Sequence, residues 1–206
     1  IGFIRRALEK AGLSHIPVIS LSVGLEQNEG FKITIPLLRN AIESLVYGDL
    51  FMRLVYHTRP YEINKGETDK LHALWQERCI KSIEDGGSIS KFNKNIAAII
   101  HDFDAIPVSG NPKPKVGIVG EILVKFLPSA NNHLVTLLES EDAEAVMPDL
   151  IDFFEYCLIN ANFKHEFLGR KSAWKNNLGI KAIEFFRKTL RKELAKSEHF
   201  VAPATI

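Results

Sequence analysis

Lys115-Val-Gly-Ile-Val-Gly-Glu-Ile-Leu-Val-Lys-Phe-Leu-Pro-Ser-Ala-Asn-Asn132 is the stretch on which the fold reading turns. Val116, Ile118, Val119, Ile122 and Leu123 form a short apolar run of strand-like composition, so a buried strand is predicted over 115–123. Gly117 and Gly120 allow another backbone or a ligand to come close. Glu121 then falls near the carboxyl end of that strand, where open α/β sheets place their chemistry. A helix is predicted at about 131–139, a second strand at 143–147, and a further helix opened by Pro148 and Asp149. The strand-to-strand spacing fits a right-handed crossover unit between parallel strands.

Outward from this stretch the pattern is helical. Residues 2–11 read as a helix closed by Gly12, 16–22 as a strand, and 24–32 as a loop. Thr34 is a good N-cap and Pro36 suits a first turn. Leu37, Leu38, Ala41, Ile42, Leu45, Val46, Leu50, Phe51, Leu54 and Val55 then recur at helical spacing up to Arg59-Pro60. Gly48 sits inside that pattern as a bend or a point of close packing. Further helices are predicted at 67–83, at 89–102 behind Ser88 or Ser90, near 164–175 and at 178–196. The segment 104–114, with Pro107, Gly110, Pro112 and Pro114, reads as the best linker.

The expected fold class is therefore α/β and helix-rich overall. Its first half is helical and its second half is a Rossmann-like (flavodoxin-like) parallel sheet. Residues 1–112 are expected to form a mostly helical part with one strand, the end of a truncated α/β domain. Residues 113–206 are expected to form the Rossmann-like part, truncated at its C-terminus. The start at Ile1 without a methionine, and the end just after Pro203, lead to the expectation of a piece of a longer protein.

Composition narrows the function classes. With 206 residues, 46% hydrophobic and 25% charged, the chain has the makings of one substantial core or two small ones. A net charge of +1 gives no footprint for nucleic acid. The two cysteines, Cys79 and Cys157, form no CxxC pair, so a reducing, cytoplasmic setting is expected and a disulfide framework or Cys-rich metal site is not. No apolar run approaches the roughly 20 residues of a membrane-spanning helix, and no membrane partner is expected. Residues 127–162 carry seven acidic side chains and no Lys or Arg, whereas residues 164–200 carry ten Lys or Arg and four acids. Two mutually attracting solvated faces account for this, and a partner-docking surface is the sharper alternative.

The candidate pocket is the loop that carries Gly120, Glu121, Lys125, Ser129, Asn131 and Asn132. It follows neither the GxxxxGK[ST] nor the GxGxxG code. A helix start beside Ser129, Asn131 and Asn132 would offer backbone N–H groups to a small anion, or Ser129 is only an N-cap and the asparagines finish a turn. Glu121 needs a partner if buried, and Lys125 is the candidate; an acid/base role and a loop-fixing pair both remain open. Gly48-Asp49 with Arg59-Pro-Tyr-Glu62 reads first as a helix-terminating knot in which Asp49 or Glu62 pairs with Arg59. The seven histidines show no HxxH or HExxH spacing. His101-Asp102 with Asp104 is the nearest approach to a metal cluster, and no metal ligand is assigned. The helix carrying Lys181, Arg187, Lys188, Arg191 and Lys192 reads as core-packed with a wet basic face.

Three ordered stretches carry a family resemblance. They are Ile16-Pro-Val-Ile-Ser-Leu-Ser22 with Gly30-Phe-Lys32; Tyr47-Gly-Asp49 with Arg59-Pro-Tyr-Glu62; and Val116-Gly-Ile-Val-Gly-Glu-Ile122 through Asn131-Asn132 and Pro148-Asp149-Leu150. They resemble the 2-hydroxyacyl-CoA dehydratase and benzoyl-CoA reductase superfamily, in particular its long activase-fused branch of CoA-substrate-specific enzyme activases. The resemblance implies a bacterial, anaerobic, low-potential electron-transfer system with a [4Fe–4S]-type cluster and an ATP-hydrolysing activase. The matching part is the dehydratase-like region. Neither Cys79 nor Cys157 matches a cluster ligand, so no cofactor is expected in this chain; cluster and ATP are expected elsewhere in the parent protein or its partner. The implied partners are other domains of the parent chain or the activase, with a homodimer also open. Two other roles stand beside this one: a small-anion-binding regulatory module at the 120–132 loop, and a subunit-assembly domain without a ligand.

Overall fold

The computed structural model describes residues 2–16, 18, 34–169 and 174–203. The strand expected at 16–22 and the loop at 24–32, with the resemblance stretch they carry, fall almost wholly outside the described residues. The chain divides into two compact units, residues 1–40 and 41–206. In the first, α1 (Gly2–Lys10) ends at Gly12, whose φ of +73° suits a glycine. Thr34 caps the start of α2 (Ile35–Thr58) through a 3.3 Å bond from the Leu37 N–H to its hydroxyl.

The second unit is organised on the remainder of α2. Val46, Tyr47, Leu50, Phe51, Leu54, Val55 and Thr58 are buried at the spacing of a single helical face. Against this core pack α3 (Glu67–Glu84) through Trp75 and Cys79, and α4 (Ile89–Asp104) through Phe92, Ile96, Ile99, Ile100 and Phe103. Ser88 caps α4, accepting the Lys91 N–H at 3.2 Å. The indole N–H of Trp75 ties α3 to α4 at Asp102, 2.9 Å away. The segment after α4 runs through residues 105–114 inside this unit; Val108 bridges Glu62 in antiparallel fashion.

The sequence expectation of a Rossmann-like second half is wrong. Among the described residues the only sheet is a parallel pair, β1 (Lys115–Gly117) and β2 (Glu144–Val146), with Val116 opposite Ala145. Eight helices make up the rest of the regular structure among the described residues. The predicted strand 115–123 stops at Gly117 because the chain turns: Gly120 takes φ +144°, and Glu121 caps a short helix, α5 (Ile122–Phe126). Ile122 and Leu123 are thus helical, and all three residues of β1 are exposed rather than buried between helix layers. The parallel crossover itself is present, made by α5 and α6 (Leu134–Ser140). No further strand joins it, since the apolar segments that follow are spent on helices. A two-stranded pair is not independently stable; this one rides on the end of α2, as described below.

The apolar run after Pro148 becomes α7 (Leu150–Leu168), and α8 (Trp174–Leu194) follows. The helix expected at 164–175 is not separate: 164–168 finish α7, and α8 has begun by Trp174. Ile183, Phe186, Leu190 and Leu194 bury the face of α8 that faces the core. On α7 only Ile151 and Glu155 are buried, and Phe153, Phe154, Tyr156, Phe163, Phe167 and Leu168 remain exposed. No described helix is long and apolar enough to cross a membrane.

Candidate functional site

The predicted loop is built to hold itself rather than to present its polar groups. The Glu121 carboxylate accepts the Val124 N–H at 3.1 Å, so it is the N-cap of α5 and not a partner of Lys125. The Lys125 ammonium instead stands 4.6 Å over the Phe126 ring. Asn131 is saturated: its amide donates to the Val124 and Lys125 carbonyls, both at 3.0 Å, and its oxygen accepts the Leu134 N–H at 3.2 Å. Asn132 and His133 take φ of +55° to turn the chain into α6, a helix of seven residues. Gly120, Ser129 and Asn132 lie exposed at the surface. Lys125 and Asn131 do line one wall of a cleft of about 280 Å³ whose opposite wall is Met52, Tyr56 and Arg59 of α2.

The motif residues nearer the N-terminus also act at helix ends. Arg59 pairs with neither Asp49 nor Glu62; it reaches Asp69 at 3.1 Å and Glu139 at 3.2 Å. Glu62 accepts the N–H groups of Gly66 (2.7 Å) and Thr68 (2.8 Å), fixing the first turn of α3. Burial works to raise the Glu62 carboxyl, but the bonds from Thr68 and Gly66 win and hold it below its ordinary value. Asp49 does the same for α7, accepting the N–H groups of Leu150 at 2.7 Å and Ile151 at 2.9 Å.

A second cleft, of about 180 Å³, shares Met52, Tyr56 and Met147 with the first. Its centre is Glu144 in β2, whose side chain is 4% exposed. One carboxylate oxygen lies 2.8 Å from His57 Nδ1 and 3.5 Å from Lys115 Nζ; the other accepts the Tyr61 hydroxyl at 2.8 Å. The Lys113 N–H in turn donates to the Tyr61 oxygen at 3.2 Å. Burial tends to raise the Glu144 carboxyl; the bonds from His57 and Tyr61, aided by the charge of Lys115, outweigh it, so the carboxyl sits below its ordinary value and is ionised at neutral pH. His57 is in the last turn of α2 and packs against the Tyr61 and Phe200 rings. Arg53, one turn earlier, reaches Asp149 at 2.8 Å.

Sequence reasoning missed His57, Glu144 and Lys115 as a group. They come from α2, β2 and β1, and their only local signal was the polar end of a long apolar helix. No group of three or more His, Cys, Asp or Glu suited to a metal occurs among the described residues, and His101-Asp102 with Asp104 is spent on structure: Asp102 receives Trp75, and Asp104 receives the Ser197 hydroxyl at 2.8 Å. Both cysteines are free thiols, Cys79 buried and Cys157 exposed. The chain matches no protein-family model, no curated protein and no solved structure.

Proposed function

We propose that this chain is the pocket-forming and docking part of a larger cytoplasmic 2-hydroxyacyl-CoA dehydratase/activase-like redox protein, with the iron–sulfur cluster and the ATPase site supplied elsewhere. The observation that supports the reading is convergence. Two of the three stretches that carry the resemblance, 47–62 and 116–150, lie far apart in sequence, yet they meet around α2 and the β1–β2 pair. Asp49 holds the start of α7 beside Asp149 and Leu150, Tyr61 holds Glu144, and Val116 pairs with Ala145. Two adjoining clefts open beside this junction.

The complete gene product containing these residues, purified without oxygen, is expected to carry iron and acid-labile sulfide and to accept electrons in an ATP-dependent manner. The 206-residue chain alone is expected to stay colourless after anaerobic reconstitution. A complete product without iron or sulfide overturns the proposal, as does a stable band near about 400 nm, of the kind thiolate-bound clusters give, in this chain alone.

A second reading, a subunit-assembly domain, is favoured by one specific observation. Phe153, Phe154, Tyr156, Phe163, Phe167 and Leu168 on α7, and Trp174, Leu178 and Phe185 on α8, leave large apolar side chains exposed on both helices. Sedimentation of the chain as a dimer that Phe163→Glu dissociates would support assembly; a monomer at all concentrations would count against it.

A further inference from the structure

The His57–Glu144 cleft has the parts of a proton-transfer site, and this inference stands on its geometry alone, independent of the redox reading. Glu144 is a buried acceptor, so the 2.8 Å contact to His57 places a proton on Nδ1, and in the neutral ring the lone pair is then on Nε2. Nε2 has no hydrogen-bond partner among the described residues, and His57 both lines the cleft and is 30% exposed. The second Glu144 oxygen is pinned by Tyr61, itself held by the Lys113 N–H, so the carboxylate cannot rotate away from the ring. Aromatic contacts with Tyr61 and Phe200 fix the ring plane. Lys115 brings a positive charge to the mouth, with its side chain 60% exposed. Met52, Val146, Met147 and Phe200 supply apolar wall.

A helix-terminal histidine does not need a buried carboxylate with a dedicated tyrosine donor merely to pack. That support is what a general base requires: one tautomer, one orientation, and a counter-charge for the imidazolium that forms.

We propose that this cleft binds a small organic carboxylate and that His57 is its catalytic base, taking a proton at Nε2 from an acidic X–H of the bound molecule while Lys115 holds the carboxylate. The X–H bond breaks, its proton goes to Nε2, and the electron pair stays on X. Glu144 is the positioning residue, holding the imidazolium by its Nδ1–H. Returning the proton to X or to another atom of the molecule restores the neutral ring, and no redox partner is needed.

The test uses the 206-residue chain with ¹⁵N-labelled histidine and pyruvate as the probe, because the methyl protons of pyruvate can be followed as they exchange in D₂O. In the free protein His57 is expected to show a pyrrole-like Nδ1 and a pyridine-like Nε2. Pyruvate is expected to shift the His57 signals and to exchange its methyl protons faster than in buffer. His57→Gln is expected to reduce that exchange roughly a hundredfold, and Glu144→Gln to reduce it while mixing the two tautomers in the spectrum. Lys115→Ala, a change at an exposed side chain, is expected to raise the pyruvate concentration that gives half-maximal exchange; this variant carries the test if His57→Gln does not fold. An Nε2–H tautomer, the absence of any His57 shift with pyruvate, or exchange unaffected by both His57→Gln and Lys115→Ala overturns the proposal.

Discussion

Asp49 in α2 accepts the backbone N–H of Ile151, 102 positions later, at 2.9 Å. The same carboxylate takes the Leu150 N–H, so α7 has its N-cap on another helix, and Asp149, the residue at the cap position, makes no capping bond. Burial raises the Asp49 carboxyl to about 7, with the Ile151 N–H opposing it and the Asp149 charge adding to it. The sign follows from linkage. Between the ordinary aspartate range and pH 7 the folded protein holds a proton that the unfolded chain has lost, so stability falls as pH rises through that window. From pH 5 to pH 8 Asp49 alone is expected to remove up to about 3 kcal/mol. Urea midpoints of the protein and of Asp49→Asn at the two pH values check this: the protein should lose stability on going to pH 8, and the variant should lose markedly less. Glu62 and Glu144 are held low, so their contributions are already complete at pH 5 and do not enter the difference.

Gly87 and Gly48 should respond in opposite ways to alanine. A Cβ on Gly87 would lie 2.5 Å from the Ser82 carbonyl oxygen, a backbone atom at the end of α3 that already accepts the Gly87 N–H at 2.9 Å. Gly87→Ala is expected to cost about 1–3 kcal/mol and lower Tm by several degrees. Gly48 sits inside α2 with nothing within 4 Å of a built Cβ. Gly48→Ala is expected to gain about 0.5–1 kcal/mol through helix propensity. Thermal unfolding by circular dichroism reads both. A stabilised Gly87→Ala would mean that the α3–α4 turn is not as described.

The helices were readable wherever one face met the core and one met water. The run from Leu45 to Val55 fixed the course of α2, and the Ile183, Phe186, Leu190, Leu194 stripe fixed α8. The stretch 115–132 misled because a five-residue helix, Ile122–Phe126, has no room for a 3.6-residue period and shares its composition with a buried strand. Gly120, at φ +144°, makes the turn that ends the strand. Among the candidate pocket residues, Glu121 and Asn131 proved to cap and brace the loop, a role that depends on which N–H groups are left over at helix starts. The Glu144 cluster was illegible because its partners, His57 and Tyr61, lie 87 and 83 positions away, and no local pattern encodes such a pairing.

The two thiols should separate cleanly by reactivity. Burial pushes the Cys79 thiol up to about 12, with a bond to Tyr47 opposing it, whereas Cys157 lies on the exposed side of α7. The thiolate is the reactive form. In native protein at pH 8, a chromogenic disulfide reagent is expected to modify Cys157 within minutes and to leave Cys79 untouched until the chain unfolds. Cys157→Ser should abolish the fast phase. A fast phase that survives in that variant would show that the α2–α3 packing around Cys79 opens readily.

Arg187 is the largest test of the core's electrostatics. Its guanidinium is 1% exposed and faces three carboxylates: Asp152 at 2.7 Å, Glu155 at 3.1 Å and Asp149 at 3.2 Å. Asp149 is also held by Arg53, so Arg187 joins α8 to the start of α7 and, through Asp149, to α2. Burial raises both the Asp149 and Glu155 carboxyls despite these cations, Glu155 with a further push from the nearby charge of Glu184. Removing the guanidinium leaves Glu155 buried without its ion-pair partner and Asp149 with Arg53 alone, and Arg187→Met is expected to cost about 3–5 kcal/mol. Arg187→Lys should recover only part, because a single ammonium cannot span the three acceptors that a planar fork reaches. The decisive measurement is a double-mutant cycle with Glu155→Gln: neutralising Glu155 should soften the loss from Arg187→Met, giving a coupling of about 0.5–3 kcal/mol. Strict additivity in urea unfolding would mean that Arg187 acts through its aliphatic packing against the core, and that the charge network is incidental to stability.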